Sequence, residues 1–140
     1  MSKKNRRKTL PKKDSFIKKG SFSVDDSKVY IIATIIMFHI VPLIFIPMGD
    51  VGKEMYAQAF YLSANVLFLS ITGVIYGIKK GFNFKFPLIM SVLAILSPII
   101  YGDFAAGMQF VGPFVLGVAY FIWSYVTTFL GGILKRVFNL

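Results

Sequence analysis

The sequence predicts an all-α polytopic membrane protein: a four-helix antiparallel transmembrane bundle behind a disordered basic N-terminal tail. Three observations carry this reading. The 140-residue chain is 56% hydrophobic and 16% charged, a composition of integral membrane proteins. Four long apolar runs follow one another with short links between them. Ten of the 16 Lys and Arg precede the first run, and most of the others fall in alternate links. That asymmetry orients membrane proteins.

Residues 1–28 form the tail, and residues 29–140 form the transmembrane domain. The tail is polar and basic, broken by Pro11, Gly20 and several serines. It buries too little apolar surface to offset its chain entropy. The first run, residues 29–48, reads VYIIATIIMFHIVPLIFIPM and has no formal charge. At about 1.5 Å per residue it crosses a hydrocarbon core of roughly 30 Å. No small-residue cleavage site follows it, so it reads as an uncleaved signal anchor. Pro42 lies inside it and predicts a kink. The other spans are expected at about 56–78, 86–102 and 110–134, the third being the shortest. Pro87 and Pro113 fall in first turns, where a missing N–H is harmless. Links this short make successive helices antiparallel neighbours.

Charge counting sets the orientation. The first link carries only Lys53, the second carries Lys79, Lys80 and Lys85, and Lys135 and Arg136 follow the last span. Fifteen of 16 basic residues thus share one side, placing both termini in the cytoplasm. Asp50, Glu54 and Asp103 face outward as solvated link charges. Tyr76, Phe82, Phe84 and Phe86 flank the cytoplasmic link, as headgroup-level rings do.

The residue inventory excludes much chemistry. There is no cysteine and one histidine, so disulfides, thiolate centres and His-pair metal sites are ruled out within one chain. No phosphate loop, nucleophile elbow or HExxH occurs. No catalytic, cofactor-binding or metal-binding residue is therefore assigned, and no cofactor is expected.

Three features remain. His39, near the middle of the first span, shares its depth with Asn65 of the second, Ser97 of the third lies somewhat nearer the outer face, and the three predict a mid-membrane polar layer. It reads either as a substrate or proton site or as interhelical hydrogen bonding. Bonding is favoured, because no acidic residue lies in any span. Gly73 and Gly77 form a GxxxG pair for close helix packing, within the chain or with another copy, and Ala59 and Ser63 form a second small pair. Gly131 and Gly132 are expected to loosen the end of the last span. In the tail, Lys12, Lys13, Lys18 and Lys19 alternate with Phe16 and Phe22. That segment would contact anionic inner-leaflet lipid at about 1 kcal/mol per basic residue, or would serve only to set topology. Nucleic-acid binding is the least supported reading, since the tail has no folded scaffold.

The stretch Gly73–Phe86, GVIYGIKKGFNFKF, with the apolar span after it, resembles a group of small four-span membrane proteins of AT-rich Gram-positive bacteria. The resemblance covers about the last three spans. The group has no established activity, so it implies topology and no site residues. Where its members carry Asn-Glu-Ser-Ala-like residues in the last outer link, this chain has Gly102-Asp103-Phe104-Ala105-Ala106.

The function expected is that of a non-enzymatic accessory or interaction subunit acting through helix packing, as a homo-oligomer or beside a larger membrane protein. The alternative is a small transporter or channel built on the layer around His39.

Overall fold

The computed structural model describes residues 20, 22–101 and 111–138. The tail residues Lys12, Lys13, Phe16, Lys18 and Lys19 and the outer link with Asp103 lie outside them.

The described chain is almost entirely helical. Helix α1 covers Val24–Ile35 and runs on as a π-helical stretch, Ile36–Ile40, and a 3₁₀ turn, Val41–Ile44. A second 3₁₀ turn, Ile46–Met48, leads into the short α2, Gly49–Tyr56. A π-helical stretch, Ala57–Ala64, continues into α3, Asn65–Lys80. Then come α4, Lys85–Tyr101, and α5, Val111–Val137. Three helices are long and apolar enough to cross a membrane: Val24–Ile44, Ala59–Lys80 and Val111–Val137. Helix α4 is equally apolar in character but shorter. The chain is thus a membrane protein with three clear spanning candidates.

Several boundaries differ from the sequence reading. The first helix begins at Val24, not at residue 29. Asp25 and Asp26 occupy its first turn, where carboxylates offset the positive end of the helix dipole. The polar composition of residues 1–28 assigns them to the tail instead. The first link, expected near 49–55, is itself helical as α2. Gly49, at φ 65°, turns the chain into it. The second link shrinks to residues 81–84. Gly81, at φ 81°, ends α3 and returns its N–H to the Gly77 carbonyl at 2.9 Å.

Contacts give the helix directions. Tyr61 meets Tyr120, Leu69 meets Thr127 and Lys79 meets Lys135, so α3 and α5 run parallel. Tyr30 meets Phe86, Thr34 meets Met90 and His39 meets Leu93, so α1 and α4 run parallel. Phe84 against Phe121 and Ile95 against Gly117 make α4 and α5 antiparallel.

The core is a cluster of Phe38, Leu69, Tyr76, Phe86, Met90, Ala94 and Tyr120. Tyr76 and Phe86 are expected at headgroup level, yet both are fully buried. Their rings stack at 3.7 Å, and Tyr30 meets each edge-on at 5.6 and 5.7 Å. Parallel chain ends bring three aromatic rings to one spot, and mutual packing outweighs the interfacial preference. Phe82 and Phe84 instead lie against Tyr125, Phe129 and Phe121 of α5.

The closest approach is between α3 and α5. A Cβ on Gly77 would collide with the Thr128 carbonyl oxygen and sit 2.8 Å from the Gly132 nitrogen. One on Gly131 would collide with the Val74 carbonyl oxygen and sit 3.0 Å from the Gly77 Cα. Gly131 therefore tightens the end of α5 against its neighbour rather than loosening it. Backbone cannot yield as a flexible side chain does, so Gly77→Leu should cost about 3 kcal/mol or more. Gly49→Ala meets open space and should cost only the strain of its positive φ, about 1–2 kcal/mol. Unfolding midpoints of the two variants in one detergent check this ranking.

Candidate functional site

The predicted polar layer is distributed over three elements. His39 lies on the π-helical stretch after α1, Asn65 opens α3, and Ser97 lies in α4. Pro42 explains the backbone at His39. It has no N–H for the Phe38 carbonyl. The chain widens to π geometry before it and tightens to 3₁₀ after it, as helices do where the regular ladder is broken.

The His39 side chain and carbonyl both engage α4. Its Nε2 lies 3.0 Å from the Leu93 carbonyl oxygen. A carbonyl only accepts, so Nε2 carries the proton and donates. The Tyr101 hydroxyl donates to the His39 carbonyl oxygen at 3.2 Å. The two bonds fix the irregular part of the first span to α4.

Asn65 and Ser97 are fully buried. The Asn65 amide makes no hydrogen bond through either its nitrogen or its oxygen. It is therefore not bonded to His39 or to Ser97, and the layer is not a connected network at that residue. Ring contacts of Phe38 with Phe68 and of Phe45 with Phe60 place Asn65 about level with Pro42.

Most other polar side chains in the helices turn back to backbone carbonyls. Thr34 donates to the Tyr30 carbonyl, Ser70 to Val66, Thr72 to Phe68 and Ser91 to Pro87, each at 2.7–2.8 Å. This satisfies a hydroxyl in an apolar setting without a partner helix. Bonds also run from α5 to α3 and to the π-helical stretch before it: Tyr120 donates to the Tyr61 carbonyl at 2.7 Å, Trp123 Nε1 donates to Ser70 Oγ at 2.6 Å, and Thr127 Oγ1 reaches the Leu69 carbonyl at 3.5 Å. Among the described residues no group of three or more His, Asp or Glu lies close enough to hold a metal ion.

The small residues divide into two sets. Gly73 and Gly77 are buried against Thr127, Thr128 and Gly131 of the same chain. The sequence left open whether they serve internal packing or dimerisation, and internal packing occupies them. Ala59 and Ser63 are exposed beside the outward Leu62.

At the other end, the base of the tail is tied down. Gly20 N–H donates to the Phe82 carbonyl at 2.8 Å, and Asn83 Nδ2 donates to the Gly20 carbonyl at 2.7 Å. Asn83 Oδ1 also accepts the Lys85 N–H at 2.9 Å, at the start of α4. Phe22, expected to dip into lipid, is half-buried against the core cluster. Lys80 pairs with Asp26 at 3.0 Å, joining the end of α3 to the start of α1. Sequence spacing carried no sign of Asn83 or Asp26, because their partners lie more than 50 residues away. Lys135, close by, donates to the Lys79 carbonyl at 2.9 Å.

Compared with known proteins, the chain matches no family model, no curated protein and no solved structure.

An interhelical hydrogen bond in a membrane contributes about 0.6–2 kcal/mol. His39→Leu should lower the unfolding free energy by about that much, and Tyr101→Phe by less, because its bond is longer and its ring remains. Equilibrium unfolding in mixed detergent measures both.

Proposed function

We propose that this chain is a non-enzymatic subunit of the bacterial cytoplasmic membrane that works by helix packing. In this reading α4 joins the three longer helices as a fourth span, giving an up-down-up-down bundle. Both termini are cytoplasmic, and the basic tail lies along anionic inner-leaflet lipid.

The helix directions support the bundle. Spans one and three of an alternating bundle must be parallel, as must two and four, and the α1–α4 and α3–α5 contacts have that sense. The link 81–84 and the base of the tail meet at the same end, together with Lys80 and Lys135. A cytoplasmic position for that end follows the positive-inside preference. The chain has no cysteine, so one introduced thiol is a unique label. Val51 and Phe138 are exposed. In intact cells a membrane-impermeant maleimide should react with Val51→Cys and leave Phe138→Cys unmodified. The opposite pattern inverts the topology, and reaction at both breaks it.

The observation that carries the packing role is the outward pair Ala59 and Ser63. The inner small residues hold α3 to α5, so this second pair is the one that admits another helix, from a second copy or from a larger membrane protein. The His39 bond to a backbone carbonyl and the absence of acidic residues from the apolar runs weigh toward packing and away from a transporter. Native mass spectrometry of the gently solubilised complex tests the idea. Ser63→Leu should release the chain as a monomer while leaving its unfolding midpoint within about 2 °C, as surface substitutions usually do. A complex that persists in this variant refutes the assigned face.

A further inference from the structure

We infer that the chain just ahead of α1, from Gly20 to Ser23, is a strap clasped by Asn83 that anionic phospholipid holds closed. The lipid part rests on the proposed cytoplasmic position of this end; the clasp does not. Both polar groups of Gly20 are held by the 81–84 link. Its N–H donates to the Phe82 carbonyl at 2.8 Å, and its carbonyl accepts from Asn83 Nδ2 at 2.7 Å. A Cβ on Gly20 would collide with the Lys80 carbonyl oxygen and sit 3.1 Å from that of Gly81. The segment therefore lies directly on the link backbone, and Phe22 packs against the core cluster.

The strap can open without unfolding a helix. Ser23 makes no side-chain cap bond. Its carbonyl takes the Ser27 N–H, at the start of α1, and that bond survives when the residues before it leave. Segments held by so few contacts are the first to open. Asn83 does two separate jobs. Its Oδ1 accepts the Lys85 N–H at the start of α4 while its Nδ2 holds Gly20. A carboxylate would keep the first bond and lose the second, because it only accepts.

Charge decides when the strap closes. Nine of the 16 Lys and Arg precede Gly20. Closure fixes their point of departure beside Lys79, Lys80, Lys85 and Lys135. The nearby carboxylates are already engaged, Asp26 by Lys80 and Asp25 by Lys28. Gathering like charges opposes the clasp unless anions lie among them. The phosphates of anionic lipid bind the gathered state better, so they shift the equilibrium toward it.

Amide hydrogen exchange of the full chain, glycine-labelled and held in lipid nanodiscs at low ionic strength, tests this by NMR. The Gly81 amide, bonded to the Gly77 carbonyl, is the internal reference for local pH. Relative to it, Gly20 should exchange about tenfold slower in phosphatidylglycerol than in phosphatidylcholine. Sodium chloride at about 0.3 M should slow Gly20 in phosphatidylcholine, because it screens the repulsion. Inorganic phosphate at matched ionic strength should do no more. Asn83→Asp should abolish the lipid effect and leave the unfolding midpoint within about 2 °C. Gly20→Val, which wedges the strap off the Lys80 carbonyl, serves if that variant does not fold. A dye on Ser15→Cys separately reports the tail on lipid by its blue shift. A blue shift in phosphatidylglycerol with no change at Gly20 overturns the strap alone; no shift at all removes the lipid reading with it. The inference also falls if the lipid effect survives both substitutions, or if Asn83→Asp lowers the midpoint further than stated. A stronger effect of phosphate than of chloride overturns lipid as the source of the anion.

Discussion

The structure depends on the close approach of α3 and α5. In a bilayer there is no hydrophobic drive between apolar helices, because lipid is as apolar as leucine. Association then rests on van der Waals contact, which requires helix backbones to come near. Gly73, Gly77 and Gly131 remove the side chains that would hold them apart. Once the backbones touch, Thr127 reaches the Leu69 carbonyl and Tyr120 reaches the Tyr61 carbonyl. The contact also orders the link after α3, whose Phe82 meets Tyr125 and Phe129.

The first span is organised differently. Pro42 denies it a regular ladder, and its second half is π and 3₁₀ in turn. It is held by aromatic and polar anchors rather than by close backbone contact. Tyr30 meets the stacked Tyr76 and Phe86, Phe38 fills the centre, and His39 bonds to α4. Its outward residues Val29, Ile32, Ile36 and Ile40 are all aliphatic and exposed, which suits a lipid-facing surface. The parallel pair α3–α5 is thus joined by close backbone contact, and the first span is fastened to α3, α4 and α5 at a few points.

Much of the helix placement was legible, because a run of about 20 apolar residues has few other uses. The errors fell where a local rule met a distant partner. Val24–Lys28 carries three charges and reads as tail, but Asp26 finds Lys80 and the helix starts early. The segment 49–55 reads as a link because it is polar, yet polarity does not prevent a helix, and it forms α2. Tyr76 and Phe86 are flanking rings by position and core rings by contact. The small-residue pair at Gly73 was visible as a spacing, but its partner, Gly131, was read as a loose end.

The candidate site shows the same division. The sequence by itself determined an apolar chain with one histidine, no cysteine and no acidic residue in its apolar runs, since these are matters of composition and need no fold. It placed His39 and Asn65 at similar depth and Ser97 somewhat nearer the outer face, because depth follows from counting along a helix. Only the tertiary structure decided which way each residue turns and what it meets. Rotation about the helix axis is set by the neighbouring surface, not by the residue's own position in the chain. That is why His39 bonds to Leu93, Tyr120 reaches the Tyr61 carbonyl, and the glycines of α3 find those of α5.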